Sequence, residues 1–102
     1  MNILLISPKY DSYIIAPHIG LGYLSSSLKK NGHKVKILDG LREEIIYDHK
    51  EWDIVGVSAM STYFPECCDE VDKAKSLGLK TIIGGPHIIC DPEKSLIDSK
   101  AD

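Results

Sequence analysis

Thr81-Ile82-Ile83-Gly84-Gly85-Pro86-His87 is the stretch of this sequence that decides the fold. Its β-branched residues predict a buried strand, and the two glycines lie where that strand ends. Because glycine has no Cβ, Gly84 and Gly85 would let a bulky group approach the backbone closely. Ligands of open α/β sheets bind outside the carboxyl ends of the strands. The stretch therefore favours a binding loop, and a tight turn that needs a positive φ is the other interpretation.

Three further stretches predict strands upstream of this one: two are apolar runs, and Lys34–Leu38 alternates charged and apolar residues, as an edge strand does. With it, the predicted strands lie near residues 3–7, 34–38, 54–59 and 80–84. Helical spacing of apolar residues separates each strand from the next, and such alternation is typical of right-handed crossovers between parallel strands. We therefore expect an α/β fold, a three-layer flavodoxin-like (Rossmann-like) doubly wound sheet. All its strands should be parallel, in the order 2-1-3-4.

The predicted helices differ in length. Leu21–Leu28 forms one that ends at Asn31-Gly32, and Phe64–Ala74 forms another that ends before Gly78. Leu41–Ile46 suggests a short amphipathic helix. Asp91 and Pro92 are predicted to be the N-cap and first residue of a last helix, over Pro92–Asp98. A loop is predicted between the two glycines and this helix.

The chain ends after this last helix, where a fifth strand is expected. We therefore expect residues 1–102 to be the N-terminal domain of a longer protein, cut before its fifth strand. The open edge of the fourth strand should then favour self-association of the fragment.

Composition excludes several classes of function. The net charge of −3 and the scattered basic residues argue against a nucleic-acid partner. The sequence has no apolar run that could span a membrane and no signal peptide, so we expect a cytoplasmic protein. Cys67, Cys68 and Cys90 form neither a disulfide framework nor a metal motif, and no base partner marks a catalytic nucleophile. We expect Cys67 and Cys68 in the core and Cys90 partly exposed in the loop after the glycines.

The loops after the strands exclude common nucleotide ligands. The nearest match to the dinucleotide motif begins at Gly20, lacks the third glycine and lies far from the first strand. A phosphate loop is absent, and a phospho-receiver domain would need an aspartate where Ser58 stands. Asp39 ends the second strand and could hold a ribose hydroxyl, but a role in a turn is favoured.

Hydroxyl and imidazole groups remain at the predicted ligand end of the sheet. Ser58 is the favoured binding residue, because it comes too early to cap the next helix, whereas Ser61 or Thr62 suits that cap. If Thr62 is not the cap, it could assist binding. His87, and less strongly His18, could contact a ligand.

Five stretches in order carry a resemblance to a known family. The chain resembles the N-terminal cobalamin-binding domain of cobalamin-dependent radical SAM proteins, which include the anaerobic magnesium-protoporphyrin ester cyclases. The matching stretches are residues 3–8, 17–24, 31–35, 53–60 and 84–87.

The resemblance implies a corrinoid across the strand C-termini, contacted by Ser58, Thr62, Gly84, Gly85 and His87. It also implies a C-terminal radical SAM domain of the same polypeptide. That domain would hold a [4Fe-4S] cluster and S-adenosylmethionine, because the cluster motif CxxxCxxC is absent from these residues.

One loop departs from better-known cobalamin domains. Their Asp-x-His-x-x-Gly motif supplies a histidine to cobalt, and here Tyr13 stands at the histidine position and Ala16 at the glycine position. Binding without a protein histidine on cobalt is therefore implied, with Tyr13 near the ligand. The leading hypothesis is a corrinoid-binding module that serves methyl transfer or related radical chemistry. The alternative is a vestigial scaffold or docking domain without cofactor.

Overall fold

A four-stranded parallel sheet organises the molecule. The computed structural model describes residues 1–12 and 18–102. The strands are β1 (Asn2–Ser7), β2 (Lys34–Asp39), β3 (Ile54–Ser58) and β4 (Lys80–Gly84), in the order β2-β1-β3-β4. All three pairings are parallel, so the predicted topology is confirmed.

In the described part of the chain, four α-helices pack around this sheet. They are α1 (Ile19–Lys30), α2 (Phe64–Ser76), α3 (Pro86–Cys90) and α4 (Pro92–Ser99), and two short 3-10 helices lie at His49–Glu51 and Ser61–Tyr63. The side chain of Asp91 accepts a hydrogen bond from the Lys94 N–H at 3.2 Å, which confirms the predicted cap of α4.

The helix predicted over Leu41–Ile46 is wrong, because this segment is a turn followed by chain without regular secondary structure. The Leu41 N–H donates to Asp39 Oδ1 at 3.0 Å, so the aspartate side chain organises a turn here. Ile45 packs on the core while Ile46 is 70% exposed, so the two isoleucines do not share one buried face.

The loop predicted after the glycine pair is also wrong, because α3 occupies that place. Gly85 precedes this helix with φ of 113°, and Pro86 lies in its first turn, where a missing N–H costs no hydrogen bond. His87 therefore sits on a helix, and Cys90 ends it as an exposed residue.

Each face of the sheet carries its own core. Leu4, Ile6, Val55 and Val57 point towards α2, where they pack with Val71 and neighbouring apolar residues. Ile3, Leu5 and Val35 point the other way and pack against Leu21 of α1. Helices therefore cover both faces, which confirms the three-layer architecture. In residues 1–12 and 18–102, no helix is long and apolar enough to cross a bilayer.

We predict that thiol reactivity follows the burial of the three cysteines. Cys90 is exposed, whereas Cys67 is 0% exposed and burial raises the pKa of its thiol to about 12. A thiol-specific reagent should therefore modify Cys90 in the native protein and Cys67 only in denaturant. Mass spectrometry of the labelled protein measures this, with Cys90→Ser as the control. Rapid native labelling at Cys67 would contradict the packing of α2.

Candidate functional site

An apolar groove lies on the α1 face of the sheet. Helix α1 packs over β1 and β2, while the same face of β3 and β4 is left open. Ile82 of β4 is 57% exposed and Leu24 of α1 is 47% exposed across the opening. The groove has a volume of about 570 Å³. Patches of exposed apolar surface of this kind mark binding sites.

The floor and walls of the apolar groove are made of aliphatic side chains and glycines. Ile3, Leu5 and Ile54 form part of the floor, and Leu21 with Leu24 forms the α1 wall. Gly56 belongs to the floor as well, and a Cβ there would lie 3.0 Å from Leu5 Cδ2. Glycine at this position therefore leaves room for the Leu5 side chain.

Polar groups meet at the end of the groove nearest the strand C-termini. Ser58, the last residue of β3, is 6% exposed, and its Oγ lies 2.9 Å from His18 Nε2. His18 also caps α1, because its Nδ1 accepts the Leu21 N–H at 3.0 Å. Both side chains line the groove. The pair therefore joins the start of α1 to the end of β3 across the mouth of the groove.

A pair of stacked tyrosines lies behind Ser58. The rings of Tyr10 and Tyr63 are 4.2 Å apart and inclined by 15°. Tyr63 is 2% exposed. Burial raises the pKa of its phenol, and a hydrogen bond with Ser58 opposes part of that effect. The phenol is therefore protonated at neutral pH, and Ser58 donates to its oxygen, since a bond that lowers the pKa stabilises the ionised form.

The two glycines after β4 have different roles. Within the described part of the chain, no heavy atom lies within 4 Å of a Cβ built on Gly84, so a side chain there would enter open space at the groove. A Cβ on Gly85 would lie 2.5 Å from the carbonyl oxygen of Ala59. The backbone of Ala59 therefore occupies the direction in which a Gly85 side chain would point. Gly85 serves the turn, and Gly84 borders the groove.

The remaining candidates lie elsewhere. His87 stacks on Phe64 at 4.0 Å, and its Nδ1 is 2.9 Å from Ser61 Oγ, away from the groove lining. Thr62 is exposed and borders a separate rim cavity beside Lys9. Neither Ser61 nor Thr62 caps α2, whose first turn has no side-chain cap, so that prediction is wrong.

Tyr13 lies outside the described residues. Its contact with a ligand, like those of Thr62 and His87, stays a prediction. Sequence reasoning ranked His18 below His87, whereas the structure joins His18 to Ser58. A histidine directly before the first turn of a helix was the signal that could have raised its rank.

We predict that the two glycines respond oppositely to alanine. Gly85→Ala should lower the free energy of unfolding by about 1 to 3 kcal/mol, because it combines a positive φ with the clash at Ala59. Gly84→Ala should leave stability unchanged or raise it by up to about 1 kcal/mol, since a strand glycine is entropically costly. Thermal and urea unfolding measure both variants. Equal stability of the two would refute the assignment of Gly85 to the turn.

Comparisons with known proteins agree with this geometry. Residues 8–102 match the family model of the B12 binding domain. The chain is 32% identical, over 94% of its length, to an uncharacterized methyltransferase of Pyrococcus horikoshii, and it spans 24% of that protein. No solved structure matches the chain. The family match covers most of the chain and agrees with the flavodoxin-like sheet, so this chain belongs to the B12-binding domain family.

Proposed function

We propose that the domain binds a corrinoid, with the nucleotide tail of the ligand in the apolar groove. The observation that carries this is the groove itself, which lies beside the C-terminal ends of β3 and β4. Its volume of about 570 Å³ falls in the range of small-molecule and cofactor sites. The family supports the ligand class.

The residues present fit such a tail. A flat aromatic base would lie on the floor beside Gly56, whose missing Cβ leaves room for the Leu5 side chain. Ser58 offers a hydroxyl at the polar end of an otherwise aliphatic site. One or a few placed polar groups in an apolar cleft are typical of sites that orient a ligand. Gly84 leaves the rim open for the remainder of the ligand.

The corrinoid would act together with another domain. When bound, it supplies a cobalt centre suited to methyl transfer, and the curated relative is named as a methyltransferase. We propose that the longer polypeptide carries a radical SAM domain with its [4Fe-4S] cluster and S-adenosylmethionine. The chain described here would bind and orient the corrinoid for methyl transfer or a related step. The family match favours this over a scaffold without cofactor.

A serine–histidine pair at 2.9 Å also raises the possibility of nucleophilic catalysis. The tautomer of His18 argues against it. Because Nδ1 accepts the Leu21 N–H, the proton of the neutral ring is on Nε2, which then donates to Ser58. A general base would need a free lone pair on Nε2. The pair is therefore suited to orientation and not to activation of a nucleophile.

We predict that the protein binds hydroxocobalamin and that Gly84→Val weakens this binding about 10-fold or more, because the new side chain enters the groove. Titration followed by visible absorbance gives both dissociation constants. Lys80→Val is the matched control, since it adds the same side chain at the exposed other end of β4. Circular dichroism verifies the fold of both variants. A wild-type protein without spectral change or co-purified corrinoid would leave the scaffold hypothesis.

A further inference from the structure

We propose that Asp39 binds a side arm of the corrin ring and makes the site selective for the uncharged primary amide of that arm. The inference rests on the proposed function, but it concerns a second cavity, at the C-terminal ends of β1 and β2. This cavity, the polar pocket, has a volume of about 380 Å³. Its lining includes Ser7, Tyr10, Asp39, Met60 and Tyr63.

The backbone around Asp39 is fixed by the neighbouring strand. Asp39 pairs with Ser7 in the register of β2 and β1, and the next residue, Gly40, donates its N–H to the Ser7 carbonyl at 2.9 Å. A Cβ on Gly40 would lie 2.5 Å from the backbone nitrogen of Lys9, so the two chain segments pass in contact. The carboxylate is therefore held in place before a ligand binds, which lowers the entropic cost of the contact.

The two carboxylate oxygens of Asp39 have different surroundings. Oδ1 accepts the Leu41 N–H at 3.0 Å, which organises the turn after β2. Oδ2 lies 3.8 Å from Nε of Arg42, whose side chain is 52% exposed, so this ion pair is a loose one. An ionised aspartate has about four lone-pair sites. The carboxylate, with its side chain only 13% exposed, therefore retains capacity to accept a hydrogen bond from a ligand.

A hydrogen-bond donor lies near Asp39 in the same pocket. The Tyr63 phenol is protonated, and its oxygen accepts from Ser58, so its own proton remains to be donated. Burial is the main cause of the raised pKa of this phenol, and the negative charge of Asp39 is among the smaller causes, so the two groups are close enough to interact. Together they offer one acceptor and one donor. A primary amide has the complementary pair, an N–H donor and a carbonyl acceptor.

The lining also decides which charge the polar pocket accepts. The described residues that line it include the carboxylate of Asp39 but no lysine and no arginine. An anionic group would therefore meet a negative charge without a strong cation in the lining. Ile19 and Met60 belong to the lining and are 70% and 41% exposed. A ring that covers them would shield the pocket from water and strengthen the bond to an uncharged donor.

The place of the polar pocket identifies the part of the ligand. His18 and Gly20 line both the pocket and the apolar groove, so the two cavities are neighbours. With the nucleotide tail in the groove beside β3 and β4, the ends of β1 and β2 are left for the ring. The propionamide arms of a corrin ring project from the same face as the tail, so they point towards the strand ends. The pocket therefore receives a propionamide arm.

The test compares hydroxocobalamin with its three monocarboxylates, in each of which one propionamide is hydrolysed to the acid. At neutral pH the wild-type protein should bind one of the three about 10-fold or more weakly than hydroxocobalamin, because the acid meets Asp39. Asp39→Asn should bind that acid more tightly than the wild type does. The same variant should bind hydroxocobalamin about 3- to 10-fold more weakly, since a neutral hydrogen bond replaces a charge-assisted one. Visible absorbance gives the dissociation constants.

Asp48→Asn is the matched control. Asp48 Oδ1 accepts the Lys50 N–H at 3.0 Å, the same bond to the second residue onward that Asp39 makes with Leu41. Asparagine preserves this bond in both variants, because its side-chain oxygen also accepts. Both variants remove one negative charge, but Asp48 is not among the described residues that line the groove or the pocket. This variant should leave all the dissociation constants unchanged, and circular dichroism verifies the fold of both.

Hydroxocobinamide, which has the arms but no nucleotide, separates an arm from the ribose of the tail. Asp39→Asn should weaken its binding by the same factor as that of hydroxocobalamin. A loss with hydroxocobalamin alone would assign Asp39 to the ribose and overturn the inference, as would equal binding of hydroxocobalamin and all three acids by the wild type. Either result leaves corrinoid binding intact. A wild-type protein that binds no corrinoid would instead refute the proposed function, and the inference with it.

Discussion

The width of the sheet relative to its helices is the constraint on which the site depends. Four strands about 4.8 Å apart place the outer strand axes about 14 Å apart. A single helix with its side chains is about 10 Å across. On one face α2 is joined by other elements, including α4, and the core there is closed. On the opposite face α1 lies over β1 and β2, so the apolar surface of β3 and β4 beside it forms a groove.

A close backbone approach fixes the end of this groove. The Ala59 N–H donates to the Gly84 carbonyl at 2.7 Å, and the Ala59 carbonyl accepts from the His87 N–H at 3.3 Å. Ala59 is 0% exposed, so these bonds are made without water. The chain can turn from β4 into α3 there because Gly85 has no Cβ. The absence of a Cβ at Gly85 thus allows the ends of β3 and β4 to approach each other. Gly84 then lies at the groove, with free space where a side chain would be.

The sequence predicted those parts of the fold that repeat a pattern. Apolar runs define β1, β3 and β4, alternating charged and apolar residues define β2, and the capping residue Asp91 defines the start of α4. The prediction over Leu41–Ile46 was wrong because two adjacent isoleucines match a helical stripe as readily as an irregular segment with one buried residue. The competing turn depends on the Asp39 side chain, whose bond to the Leu41 N–H is not visible in apolar spacing. Local hydrogen bonding therefore determines the conformation of this segment, for which hydrophobic periodicity was ambiguous.

The sequence allowed prediction of those site residues that lie at the ends of strands, but not of the contacts between elements. Ser58, Gly84 and Gly85 follow from their places at or after β3 and β4, and all three line the groove. The role of His18 depends on a contact with Ser58, 40 positions away in the sequence, and on the tautomer set by the Leu21 N–H. Neither can be read from residue order, because each requires the distance between α1 and β3. The hydrogen-bonding role of His18, a residue that the sequence marked only as a possible ligand contact, is thereby set by one backbone N–H.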